Sequence, residues 1–207
     1  DPKFAQAHSL LAVALSVMVV MRTVSDNDAA RERCETALKT ALSRAPDHPR
    51  VLCECANANS NLAHHERALD LAKQAVAKAP CFASATSILG VTYLTVGDHE
   101  QALHYLQSAA ECSPRDSQMS MWLYQMSWAQ TLAGNYESAL EYANRSIERN
   151  PAGLLAWTSK ANIEGHMGRL DEGAKTLEKC MELLPNLSVA LAEAATNDFY
   201  ATPELAS

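Results

Sequence analysis

Six cysteines and seven histidines are the residues of this 207-residue chain that could hold a metal ion or carry redox chemistry. Their spacing argues against both. No C-x-x-C occurs, so the zinc and dithiol spacings are missing. Cys53 and Cys55 are two apart, and on a helix they point to different faces. Cys34 and Cys180 fall in small-residue slots, Cys55 falls in a core slot, and Cys81 and Cys112 sit near the ends of different units. Buried thiols in a reducing compartment are the expectation, and with them a cytoplasmic location. His64-His65-Glu66 could touch a metal ion; the plainer reading is a solvated turn. Asp98, Glu137 and Asp171 look like acids at helix N-termini, where the backbone dipole favours them, so they are given capping roles and not acid–base roles. H-E-x-x-H, G-x-S-x-G, P-loop and G-x-G-x-x-G patterns are all missing. No catalytic, cofactor or metal site is expected in this segment.

These residues must be positioned by helices, and the prolines show which. Pro46, Pro80, Pro114, Pro151 and Pro185 follow one another at steps of 34, 34, 37 and 34 residues, with Pro2 lying 44 before Pro46. A 34-residue period ending in proline is the mark of a helix–turn–helix array. Hydrophobic residues are 48% and charged residues 20%, enough for a packed core and against disorder. The net charge of −7 and the lack of any Lys/Arg run exclude nucleic acid and anionic membrane as expected partners.

Inside the period the residue types fit paired helices. Leu89-Gly90 and Tyr93 lie on one helix, Ala102, Leu106 and Ala109 on the next, and Pro114 closes the unit. Small residues let the helices cross closely, and large ones fill the gaps. Gly97-Asp98 supplies the turn, with Gly ending one helix and Asp capping the next. Gly134-Asn135 and Gly168 repeat that signal. The pattern L-G-x-x-Y, then A, a large apolar residue, A and P, resembles the tetratricopeptide repeat.

That resemblance implies an all-α, right-handed superhelix of about five hairpins and a C-terminal capping helix. The units are expected at about 3–48, 49–82, 83–116, 117–153 and 154–187, with the cap at about 187–197, as one array over 1–207. The second unit departs from the family at Cys55 and Asn59, and the fifth carries Trp157 at the first aromatic position. The first is expanded by about ten residues between Ser16 and Asp28. Leu10 to Met21 is too short for a membrane span of about 20 residues. It is expected to be a long helix buried against the second and third units; the alternative is an exposed apolar surface that docks a neighbour.

The resemblance also implies a groove lined by first helices and a protein or peptide partner. Mapping the family's inward positions gives Asn57, Asn61, Ser87, Tyr124, Trp128, Thr158, Asn162 and His166 as candidate partner-binding residues. Asn57 and Asn162 can hydrogen-bond an extended backbone. Tyr124 and Trp128, one turn apart, either anchor a partner or fill the narrow inside of the superhelix. The family's carboxylate clamp uses Lys and Arg, and here the only nearby base is Arg50, so acidic C-terminal tails are not expected ligands.

The phrases Ser113-Pro114-Arg115-Asp116, Ala133 to Ala139, Gly168 to Glu172 and Leu184 to Ser188 are similar, in that order, to the C-terminal repeats of bacterial multidomain regulators. Those carry an N-terminal class III cyclase or winged-helix domain. Asp1-Pro2 looks like the tail of a preceding element. The expectation is therefore a regulatory interaction segment of a larger cytoplasmic bacterial signalling protein. The alternatives are a stand-alone peptide-binding adaptor and a homodimerisation scaffold.

Overall fold

The computed structural model describes residues 2–184. Over that range the chain is ten α-helices. They are α1 (Pro2–Val20), α2 (Asn27–Arg44), α3 (Pro49–Asn61), α4 (His65–Lys78), α5 (Ala83–Thr95), α6 (His99–Cys112), α7 (Met119–Leu132), α8 (Tyr136–Arg149), α9 (Leu154–His166) and α10 (Leu170–Leu183). Each odd-numbered helix packs along the even-numbered one that follows it, giving five hairpins. The capping helix expected at 187–197 lies outside the described residues.

The proline ruler acts through the residue before each proline. Ala45, Ala79, Ser113, Asn150 and Leu184 close the even-numbered helices, all with φ between −139° and −147° and positive ψ. A following proline ring excludes the helical conformation there, so the helix must stop. Between the helices of a hairpin the chain turns through a left-handed residue. It is Gly97, Gly134 and Gly168 in the last three hairpins, at φ of 84°, 77° and 73°. In the second hairpin the same place is held by Ala63 at φ 62°. Asp98 caps α6, accepting from the Gln101 amide at 3.1 Å. Glu137 and Asp171 lie inside the first turns of α8 and α10, whose N-caps, Asn135 and Arg169, make no side-chain cap bond. Their contribution is to the helix dipole alone.

Among the described residues the core is a series of clusters, with small residues at the helix crossings. Ala12, Ala56, Gly90 and Ser127 mark where the first four odd helices cross their partners. A Cβ on Gly90 would stand 2.9 Å from Leu106 Cγ and 3.0 Å from the Ala102 carbonyl oxygen. The Cys34 thiol donates to the Ala12 carbonyl at 3.2 Å.

The first hairpin differs from expectation in two ways. Its extra residues are not all between Ser16 and Asp28, since α2 has 18 residues where α4, α6, α8 and α10 have 14. Nor is α1 buried against both the second and third hairpins: it packs on α2 and α3. Ala5, Ala12, Leu15 and Val19 are buried, but Phe4, Leu10, Leu11, Val17, Met18 and Met21 are exposed by 39% to 63%. Among the described residues no helix is long and apolar enough to cross a membrane.

Candidate partner-binding surface

The odd-numbered helices also touch one another, whereas the even-numbered ones scarcely do. The odd helices therefore line the inside of the curve. In the N-terminal half they lie close together because small residues face each other. Ser9 donates to Glu54 at 2.5 Å, and Asn61 donates to Ser16 Oγ at 3.0 Å, both joining α1 to α3. Between α5 and α7 the contact is slight, and it resumes between α7 and α9, where the Ser127 and Ser159 hydroxyls stand 3.2 Å apart.

This divides the eight candidate residues. Asn61 is already engaged by Ser16. Ser87 is 3% exposed and donates to the Ser84 carbonyl at 2.9 Å. Asn57, half-buried, is the member of that half with some surface. Tyr124, Trp128, Thr158, Asn162 and His166 sit on α7 and α9, where the inner surface is open. Tyr124 and Trp128 are half-buried with ring centroids 5.8 Å apart and planes at 45°. Burial pushes the Tyr124 phenol above its ordinary pKa, so it is a neutral donor at any working pH. Met121 and Leu155 extend this patch and are 42% and 47% exposed. Thr158 gives its hydroxyl to the Leu155 carbonyl at 3.0 Å. Asn162 is exposed, and His166 stacks on Tyr136 at 5.2 Å.

Three features were not found from the sequence. Gln125 lies on α7 in the same stripe as Met121, Trp128 and Leu132. Its side-chain oxygen is buried with no hydrogen-bond partner among the described residues. Glu164, 4% exposed, accepts from Thr176 at 2.7 Å with Lys160 Nζ at 3.8 Å. It occupies the place of Tyr93 in the third hairpin, and that substitution was the available signal. The third is a cleft of about 650 Å³ on the outer side, between α6 and α8, floored by Met119, Leu123 and Met126 of α7. Gln107 donates to the Tyr142 hydroxyl across it at 3.0 Å. The 37-residue step before Pro151 is where the sequence marked this junction.

The bases near the inner surface are occupied. Arg50 stacks over Phe82 at 5.5 Å, and Lys160 faces Glu164 and the Trp157 ring. Among the described residues no three His, Cys, Asp or Glu side chains come together as a metal site. His64 pairs with Glu35 at 3.4 Å.

All six cysteines are free; Cys34, Cys53, Cys55 and Cys180 are buried and Cys81 and Cys112 exposed. Burial, with Glu35 nearby, pushes the Cys34 thiol up to about 11. Burial, with Glu54 nearby, pushes Cys53 and Cys55 up to about 12. Thiolate is the reactive form. A disulfide reagent at neutral pH should therefore titrate two thiols quickly and the other four only after denaturant is added. Fast reaction of a third thiol in the native protein would contradict this burial. The same shifts set an alkaline limit. The unfolded thiols ionise near 9 and the folded ones later, so this share of stability is whole below pH 9 and is lost as pH rises towards 11–12.

Comparison with known proteins places the fold. Residues 81–152 match one model described as tetratricopeptide repeat, and residues 154–187 match a second. Between them they take in more than half of the chain. A stretch of 65 residues is 31% identical to Hsp70-Hsp90 organizing protein 3 of Arabidopsis thaliana, covering 31% of this chain but 12% of that protein. The solved structure of TTC0263, a thermophilic TPR protein of Thermus thermophilus, superposes with a TM-score of 0.73 at 22% identity, over 94% of this chain and 98% of that one. YrrB, described as a TPR protein with an unusual peptide-binding site, gives 0.59 at 19% identity over 80% and 83%. MamA 41-end from Desulfovibrio magneticus RS-1 gives 0.63 at 18% identity over 83% and 94%.

Proposed function

The chain carries tetratricopeptide repeats and belongs to that family, and on this premise we propose that it is a protein–protein interaction module. It holds an extended partner segment, or a neighbouring domain, on the open half of its inner surface. The observation that carries this reading is the patch of Met121, Tyr124, Trp128 and Leu155. It offers an aromatic anchor beside exposed Asn162, on a surface whose cations are already engaged. An aromatic pair with a side-chain amide one helix away suits a neutral peptide with one large apolar residue. The peptide-binding site named for YrrB supports the class of ligand. The order of phrases from Ser113 to Ser188 supports a regulatory role beside a cyclase or winged-helix domain in a larger protein.

The test is a peptide array probed with the labelled protein, followed by calorimetry on the best neutral peptide. Trp128→Ala should weaken binding by roughly tenfold or more, as expected for a central aromatic anchor. Asn57→Ala should have a smaller effect, because α3 lies in the closed half. Binding that is indifferent to Trp128→Ala, or that requires an acidic C-terminus and falls steeply with salt, would refute this reading.

A further inference from the structure

One position on the even helices shows how each hairpin closes. In the third hairpin it is Tyr105, which stacks on Tyr93 of α5 with ring centroids 5.5 Å apart. In the fifth it is Thr176, which donates to Glu164 of α9 at 2.7 Å. In both, the partner belongs to the same hairpin. In the fourth hairpin the residue is Tyr142, and the place of Tyr93 is held by Gln130. The Gln130 side-chain oxygen already accepts from the Asn135 amide at 2.8 Å. The Tyr142 hydroxyl is engaged by the hairpin before, accepting from Gln107 of α6 at 3.0 Å. A glutamine and a tyrosine joined end to end therefore set the distance between α6 and α8. The space beside this clasp is the cleft of about 650 Å³.

That volume is within the range of small-molecule sites. The floor is apolar, and its methionines adapt to side chains of different shape. The walls are ionisable: Glu111 stands on α6, and Arg145, Glu148 and Arg149 stand on α8. Arg145 lies over the Tyr142 ring at 5.4 Å, with Glu141 at 3.8 Å. Glu111, Glu148 and Arg149 have no ion pair or hydrogen bond among the described residues. Two guanidinium groups balance two carboxylates. A simple anion or cation gains nothing net from such a lining, whereas a molecule with both signs gains from both.

We propose that the cleft binds a short apolar peptide with free ends, two or three residues long. Arg149, with Arg145 beside it, takes the carboxylate. Glu111 on the opposite wall takes the ammonium, and the side chains lie on Met119, Leu123 and Met126. A single amino acid does not suffice: its two charges are separated by one carbon, and the walls by two long side chains. The cleft is on the outer side and shares no residue with the inner patch. A ligand held between α6 and α8 ties the third hairpin to the fourth.

The test is the full chain with isotope-labelled methionine methyls, titrated with the dipeptide Leu-Phe and followed by NMR. The Met119 and Met126 signals should shift and saturate at roughly millimolar peptide or below, while that of Met121, on the inner surface, stays in place. Acetylating the peptide's amino end, or amidating its carboxyl end, should each weaken binding roughly fivefold. Glu111→Gln and Arg149→Gln should do the same to the free peptide. Acetylation should then cost nothing further on Glu111→Gln, nor amidation on Arg149→Gln, because each pair of changes removes one contact. Both replaced side chains are exposed and unpaired, so the fold is retained. Unmoved Met119 and Met126 signals overturn the proposal, as does a shift at Met121 in their place. Capped peptides that bind as tightly as the free one, or either variant binding like the wild type, overturn it too.

Discussion

Trp122→Ala is expected to cost about 3–5 kcal/mol, the range for truncating a fully buried aromatic, and to split one unfolding transition into two. Trp122 is 1% exposed and packs with Met119, Leu123 and Met126 of its own helix and with Leu106 and Ala109 of α6. That cluster joins the third hairpin to the fourth. Elsewhere the join is reinforced by contact between odd helices, but α5 and α7 meet only slightly, so this junction depends on its core. In a linear array stability is the sum of unit terms and nearest-neighbour interfaces. Removing one interface term lowers the total and lets the two sides melt separately. Calorimetry would show the melting temperature falling by roughly 10 °C, from about 2–4 °C per kcal/mol at this size. Trp157→Ala is the control. Trp157 is half-buried, with its indole nitrogen donating to the Pro151 carbonyl at 2.9 Å, and its loss should leave a single transition. A single transition for Trp122→Ala, shifted by no more than the control, would show that the junction is not carried by this residue.

Gly90→Ala should destabilise the wild type, and destabilise the Leu106→Ala variant by clearly less. In the last four hairpins the crossing residue can be set beside the residue sixteen places later: Ala56 with Ala72, Gly90 with Leu106, Ser127 with Ala143 and Ala161 with Leu177. Leu177 is 42% exposed, whereas Leu106 is fully buried, and it is the buried leucine that faces glycine. A methyl on Gly90 would lie 2.9 Å from Leu106 Cγ and 3.1 Å from the Leu106 nitrogen, so α6 or the leucine must move. Overpacking of this kind costs about 1–3 kcal/mol, against a gain in helix propensity of up to about 1 kcal/mol. The net is unfavourable. Leu106→Ala alone costs about 2–5 kcal/mol through the cavity it leaves. In that background the 2.9 Å contact with Leu106 Cγ is gone, while the Ala102 carbonyl oxygen at 3.0 Å and the residue 106 nitrogen at 3.1 Å remain, so the methyl costs less than in the wild type. Urea denaturation of the four proteins gives the coupling directly. Equal effects of Gly90→Ala in both backgrounds would mean that the methyl is absorbed elsewhere.

The fold was legible because its punctuation is local. A proline acts on the residue before it, and glycine at a left-handed turn acts on itself, so both show in a single sequence. Ala63 was not legible as a turn residue, because alanine there is strained backbone that only neighbouring contacts impose. The exposure of α1 was not legible either. An apolar stripe reads the same whether something covers it or not, and the crowded apolar run from Leu10 to Met21 disguised a helix buried on one side only. The inner positions were readable from the repeat, but not which of them have space in front of them. That depends on how closely neighbouring odd helices approach, which is set by Ser9, Ser16 and Asn61 acting across 45 residues. The outer cleft depends on the gap between α6 and α8, and pairwise spacing along the chain does not encode a gap.

The open half of the inner surface is also the half with the thinner core. Among the described residues α9 buries Ala156, Ile163 and Glu164, and α10 only Thr176 and Cys180, where α3 buries most of its length. A segment with few buried contacts opens more readily than a densely packed one. A ligand seated across α7 and α9 therefore does more than occupy a surface: it adds contacts to the part of the array that buries the fewest residues. Part of its binding energy goes into holding the last hairpin in place. Its apparent affinity accordingly falls faster on warming than the contacts alone would dictate, and bound ligand slows amide exchange most strongly in α9 and α10, beyond the residues it touches.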